Sequence, residues 1–114
     1  MIRKADQINK MDKTMFGGPG QLHANVLLQA SEFADKGRLF NHCVLHTGEA
    51  IGEHQHTNEF EVYYILSGTG LYNDNGTETN IQAGDLTICY SGEKHGLKNT
   101  GSEDLVFIAL ILFS

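Results

Sequence analysis

The chain has no tryptophan, one proline (Pro19) and only two cysteines, Cys43 and Cys89. Two cysteines make no disulfide framework, and the opening MIRKADQINKMDK is charged and lacks an apolar leader segment. Together these features predict free thiols in a reducing cytoplasm. Each cysteine is expected to be a small buried hydrophobe rather than a metal ligand or redox thiol. No basic stripe is present: the 8 Lys and Arg are scattered and the formal net charge is −6, which argues against a nucleic-acid partner. An anionic ligand would then need a local positive centre, such as a bound metal. The apolar tail LVFIALILF is far shorter than the roughly 20 residues that span a bilayer, so a buried strand is expected and a membrane partner is not. A helical stripe of useful length is also missing, as is any internal repeat.

Glycine is what the chain has in excess. Its 13 glycines in 114 residues exceed the average of about 7% and predict many tight turns. The length suits one domain with one core. Residues 1–21 are expected to form an N-terminal arm, loose or with a short turn, ending in the Gly-rich loop Gly17-Gly18-Pro19-Gly20. Residues 22–114 are expected to form a barrel domain. Leu22, Ala24, Val26 and Leu28 alternate with their neighbours at the period of a half-buried strand. Ser31 to Arg38 reads as a turn stopped by Gly37. Further strands are expected at 39–47, 60–66, 71–74, 77–81, 86–90 and 105–113. Asn75-Gly76 marks a hairpin, because both residues tolerate positive φ. Many short strands between glycine turns predict an all-β sandwich or barrel.

One stretch carries the chemistry: Gly48 to Gly68 reads GEAIGEHQHTNEFEVYYILSG. His54 and His56, two apart on a strand, share a face. Glu61 is five residues further on, so a bend at Thr57-Asn58 must fold the chain back to bring it alongside. Beyond the bend, Glu61, Tyr63 and Ile65 line one strand face. His95 sits in a second glycine-bounded stretch, Gly84 to Asn99, reading GDLTICYSGEKHGLKN. Three imidazoles and a carboxylate make a shell for Mn, Fe, Co, Ni or Zn, with positions left for water or a ligand. A structural metal is disfavoured, since closed structural sites are more often Cys-rich. Glu59 has the parity of Glu61 and is the candidate catalytic acid or base, although solvation at the turn is also expected of it. Glu53 stands in the same position. His42 and His46 share a strand face and are weaker cavity candidates; Tyr63 is a candidate hydrogen-bonding group.

These two stretches resemble the two motifs of the cupin superfamily. Gly48, His54, His56, Glu61 and Gly68 fall on the first, and Gly84, Gly92, His95 and Asn99 on the second. Tyr90 stands where the family has proline, which touches one turn but no ligand. The matched motifs cover about a third of the chain. The resemblance implies a double-stranded β-helix, or jelly-roll barrel. It also implies one divalent metal on His54, His56, Glu61 and His95, with manganese the first choice, and a turn-stabilising role for Asn99. Among small single-domain cupins the resemblance is to oxalate-decarboxylase-like proteins, so a small carboxylate or carbonyl compound is the expected ligand. The alternatives are a non-catalytic sugar- or metabolite-binding module and a cupin isomerase or dioxygenase. A homodimer is implied as well, through a face bearing Val62, Tyr64 and Leu66 or through exchanged N-terminal strands.

Overall fold

A computed structural model describes residues 1–114. Ten strands follow in order: β1 (Asn9–Lys13), β2 (Leu22–Leu28), β3 (Gly37–Leu45), β4 (Ala50–Gln55), β5 (Glu59–Ser67), β6 (Thr69–Asp74), β7 (Thr77–Gln82), β8 (Leu86–Cys89), β9 (Lys94–Lys98) and β10 (Leu105–Phe113). The helical content is two 3-10 turns, Ala5–Gln7 and Ala30–Glu32. No helix is long and apolar enough to cross a membrane. The strands form two antiparallel sheets, ordered β1-β2-β3-β10-β5-β8 and β4-β9-β6-β7. This is the all-β, double-stranded β-helix architecture that the sequence predicts.

Period-two alternation places the core. In β10, Leu105, Phe107, Ala109 and Ile111 point inward and are buried, and the residues between them are half-buried. Their inward neighbours are Cys43 and Leu45 on β3 and Tyr63 and Ile65 on β5, with Leu97 contributed by the second sheet. Burying a side chain such as Phe107 stabilises the fold by about 1.5–3 kcal/mol relative to leaving it in water. Both cysteines are buried and unpaired, as expected. Burial pushes the Cys89 thiol up to about 11, so it stays protonated and inert.

Asn75 and Gly76 both have positive φ, 52° and 93°, and close the β6–β7 hairpin where the sequence placed it. Asn99 is fully buried. Its Nδ2 donates to the carbonyls of Leu45 and Glu103 at 2.8 Å each, and its Oδ1 accepts from the Gly101 amide at 2.9 Å. Tyr90 is mostly exposed, and its N–H donates to the Glu93 carboxylate at 2.8 Å. A proline could not make that bond, so this turn is rebuilt around tyrosine.

Three expectations are corrected. The N-terminal arm is not loose: β1 pairs with β2 in register from Asn9↔Val26 to Lys13↔Leu22. Gly37 does not stop a turn; it opens β3, where a Cβ would lie 2.6 Å from the Ile111 carbonyl oxygen. Residues 94–98, read only as a motif, form β9 between β4 and β6.

Candidate metal centre

The centre forms where the chain changes sheet. β4 and β9 are paired so that His54 lies directly opposite His95. His56 lies just past the end of β4, held by its own amide to the Glu93 carbonyl at 3.2 Å and by its carbonyl to the Gly92 amide at 2.7 Å. Asn58, at φ 60°, makes the bend that returns the chain into β5 in the other sheet. Glu61 therefore faces the three histidines across the barrel interior.

Four donor atoms converge. His95 Nε2 is 3.0 Å from His54 Nε2, 3.1 Å from His56 Nε2 and 2.9 Å from Glu61 Oε1. Glu61 Oε1 is 3.1 Å from His56 Nε2 and 3.6 Å from His54 Nε2. The other ring nitrogens are all engaged. His54 Nδ1 donates to the Gly52 carbonyl at 2.8 Å and His56 Nδ1 donates to Glu59 at 2.6 Å. His95 Nδ1 meets the Tyr72 hydroxyl at 2.8 Å. A carbonyl and a carboxylate only accept, so the protons of His54 and His56 sit on Nδ1 in the neutral rings, and their Nε2 lone pairs point inward. Lone pairs and a carboxylate oxygen crowded at about 3 Å repel one another unless a cation lies between them, so the donor set fits a divalent metal. Donors at right angles about 2.1 Å from an ion are about 3.0 Å apart, against about 3.4 Å for a tetrahedron. Four of the five separations lie nearer the first arrangement, and the 3.6 Å between His54 Nε2 and Glu61 Oε1 lies nearer the second.

The electrostatics follow from the packing. Burial alone would raise the Glu61 carboxyl, but the His54, His56 and His95 rings crowded against it, which favour its anion whenever a ring is protonated, outweigh burial and hold the group well below its ordinary range. Only the protonated His56 ring can donate Nε2–H to Glu61, and this raises His56, whereas burial foremost lowers His95. Tyr63 is buried and stacks on the His95 ring with centroids 5.0 Å apart. Its phenol is pushed well above its usual value by burial and then by the Glu61 charge.

Of the other candidates, Glu59 is not solvated. Its two oxygens take Nε and Nη2 of Arg38, each at 2.7 Å, and one of them also takes His56 Nδ1. Glu53 is at the surface, accepting from Asn73 at 2.8 Å. His42 and His46 do not reach the cavity, which corrects that expectation. On β3 the inward positions are Asn41, Cys43 and Leu45, so His42 and His46 face outward. His46 instead joins a surface cluster with His23 and Glu49. Sequence reasoning missed Tyr72, Arg38 and Asn41. Tyr72 lies 23 residues from His95 and reaches it only through the β6–β9 pairing.

A cavity of about 80 Å³ opens beside His54, His56 and Glu61, with Arg38, Asn41 and Tyr63 in its wall. The arm closes one side of it. Phe16, at φ 54°, stacks on the His54 ring with centroids 4.0 Å apart and an interplanar angle of 10°.

Comparison with known proteins agrees with this geometry. The family model described as "Cupin domain" matches residues 41–111. The "Oxalate-binding protein" of Thermotoga maritima is 39% identical over 112 residues, 98% of this chain and 93% of the relative. A crystal structure from Thermotoga maritima, described as a predicted oxalate decarboxylase, superposes with a TM-score of 0.93 at 39% identity, covering all of both chains. A Klebsiella pneumoniae protein with a double-stranded β-helix domain gives a TM-score of 0.71 at 25% identity, over 86% of this chain and 82% of that one.

Proposed function

The chain belongs to the cupin domain family, and from that premise we propose that it binds one divalent metal through His54, His56, Glu61 and His95 and takes a small carboxylate at the metal's open positions. The observation that carries this reading is the convergence of three Nε2 atoms and one carboxylate oxygen, while each Nδ1 is held by a separate partner. The oxalate-binding relative supports the carboxylate class. The nitrogen and oxygen donors accept Mn, Fe, Co, Ni or Zn, and manganese is the first choice on the family resemblance alone. When bound, the metal supplies a Lewis-acid centre for an anionic oxygen in a chain of net charge −6. The chain's own residues do the rest. Glu59 orients His56, Tyr72 orients His95, and the apolar wall with Phe16 limits water.

A specific observation favours binding without turnover as the second reading. Apart from the proposed ligands, the polar groups in the cavity wall are those of Arg38, Asn41, Cys43 and Tyr63; the first two are not proton shuttles at neutral pH, and burial keeps the Cys43 thiol and the Tyr63 phenol protonated. If the protein is an enzyme, Glu59 is the acid or base, acting from behind His56 and Arg38, which its carboxylate bonds. The unpaired Cys43 and Cys89 support a reducing, cytoplasmic setting. The apolar outer face of β5 and β8 supports a homodimer.

Elemental analysis of the purified, tag-free protein tests the metal. Near one equivalent of Mn, Fe, Co, Ni or Zn is expected, and none in the His54→Ala/Glu61→Ala double variant. No retained metal in either protein after reconstitution overturns the ligand set. Oxalate titrated into loaded protein then separates the readings: heat without product means binding, and released carbon dioxide and formate mean decarboxylation.

A further inference from the structure

The cavity is chemically two-sided. One end is the donor set of the metal centre. The remainder is mostly apolar, 11 of the 16 lining residues being hydrophobic. Met11 and Met15 of the arm face Leu39 of β3 and Ile111 of β10 there. Oxalate has no apolar atoms to set against such a wall. Each methylene buried there instead of in water favours binding by about fourfold.

Asn41 lies between these two ends. It is 4% exposed and points inward from β3 between Leu39 and Cys43, which also line the cavity. Its side-chain amide makes no hydrogen bond to any group of the chain, whereas the other inward amide, Asn99, is fully engaged. An amide that opens on the cavity without a protein partner is completed by cavity water or by a ligand atom, so it is placed to fix a ligand oxygen. Arg38 adds charge at the rim. Glu59 occupies its Nε and Nη2, and Nη1 is left for a ligand oxygen.

We propose that the ligand is a 2-oxo or 2-hydroxy carboxylate with a short apolar tail: the Asn41 amide holds one of its oxygens, and the tail lies against Met11, Met15, Leu39 and Ile111. This rests on the metal–carboxylate reading above and narrows it. Two adjacent oxygens chelate the centre as oxalate would. The tail and the amide are what set the ligand apart from oxalate. Methionine side chains are flexible, so the wall accommodates a small range of tail shapes.

The test uses calorimetric titration of protein whose metal content has first been measured. Pyruvate, 2-oxobutanoate and 3-methyl-2-oxobutanoate form a series of equal charge and growing tail. Affinity is expected to rise about three- to fourfold per added carbon. 3-Methylbutanoate, which lacks the 2-oxygen, should bind at least about tenfold more weakly than its 2-oxo counterpart. Asn41→Leu should keep the metal and lose about tenfold in affinity for the 2-oxo acids, and Met15→Ser should flatten the series. If Asn41→Leu fails to fold, Asn41→Asp keeps the volume and should repel the same anions. Affinity that stays flat or falls with tail length overturns the proposal, as do Asn41 variants that bind like wild type. Either result, with metal retained and oxalate bound, leaves the parent reading standing. A wild-type protein that holds no metal overturns both.

Discussion

At the scale of single residues, the candidate centre depends on groups outside its four donors. Glu59 shows this best. Its carboxylate is shared between Arg38 and His56 Nδ1, and the Arg38 hydrogen bond, foremost, holds it below its ordinary range. Glu59→Gln should weaken metal binding by about 10–100-fold with the fold intact, read by competition against a chromophoric chelator. Retained metal affinity with lost turnover would instead make Glu59 an acid or base. The four converging donors were legible as candidates because HxH, a displaced Glu and a later His form a local pattern. Their supports were not. Arg38 is 21 residues from Glu59, and the β-sheet register that unites Tyr72 with His95 is not written in either motif.

At the scale of elements, the arm is the part that the sequence under-described. NKMDK carries none of the β-branched or aromatic residues that mark a strand, yet it pairs as the sheet's edge, where lysines are tolerated. KHGLK was missed because it is five residues long and broken by Gly96, and its neighbours β4 and β6 hold it. Part of the arm's attachment is ionic. His23 on β2 lies between Asp12 of β1 at 2.7 Å and Glu49 of the β3–β4 turn at 2.9 Å, with the His46 ring 4.4 Å away. The Asp12 hydrogen bond, foremost, raises His23 above 6.5. A raised folded-state value means the stabilisation is complete below about pH 6.5 and is lost as pH climbs through the higher folded-state value. The gap in melting temperature between wild type and His23→Gln should therefore narrow from pH 6 to pH 8.5. It should stay below about 5 °C throughout, because the pair is largely exposed. A gap that widens with pH would rule out the ionic clasp.

At the scale of the molecule, one apolar face looks outward. Tyr64, Leu66, Leu86 and Ile88 on β5 and β8 are 44%, 43%, 56% and 39% exposed. Sedimentation should give a dimer of the 12.6 kDa chain, and Tyr64→Lys/Ile88→Lys should give a monomer. A wild-type monomer at about 100 μM would count against this face as an interface. The barrel itself was legible from strand alternation and the Asn75-Gly76 turn, whereas the seating of the arm was not, since it depends on backbone. The Gly52 amide donates to the Met15 carbonyl and the Ala50 amide to the Pro19 carbonyl, each at 3.0 Å. A Cβ on Gly18 or Gly52 would lie 2.2 Å or 2.0 Å from the carbonyl oxygen opposite. Because this seam is main chain against main chain, the side chains at 11 and 15 can drift without unseating the arm or the Phe16 ring on His54. Descendants of this chain can thus change what they hold while inheriting the four donors untouched, and selection can explore new ligands one arm residue at a time.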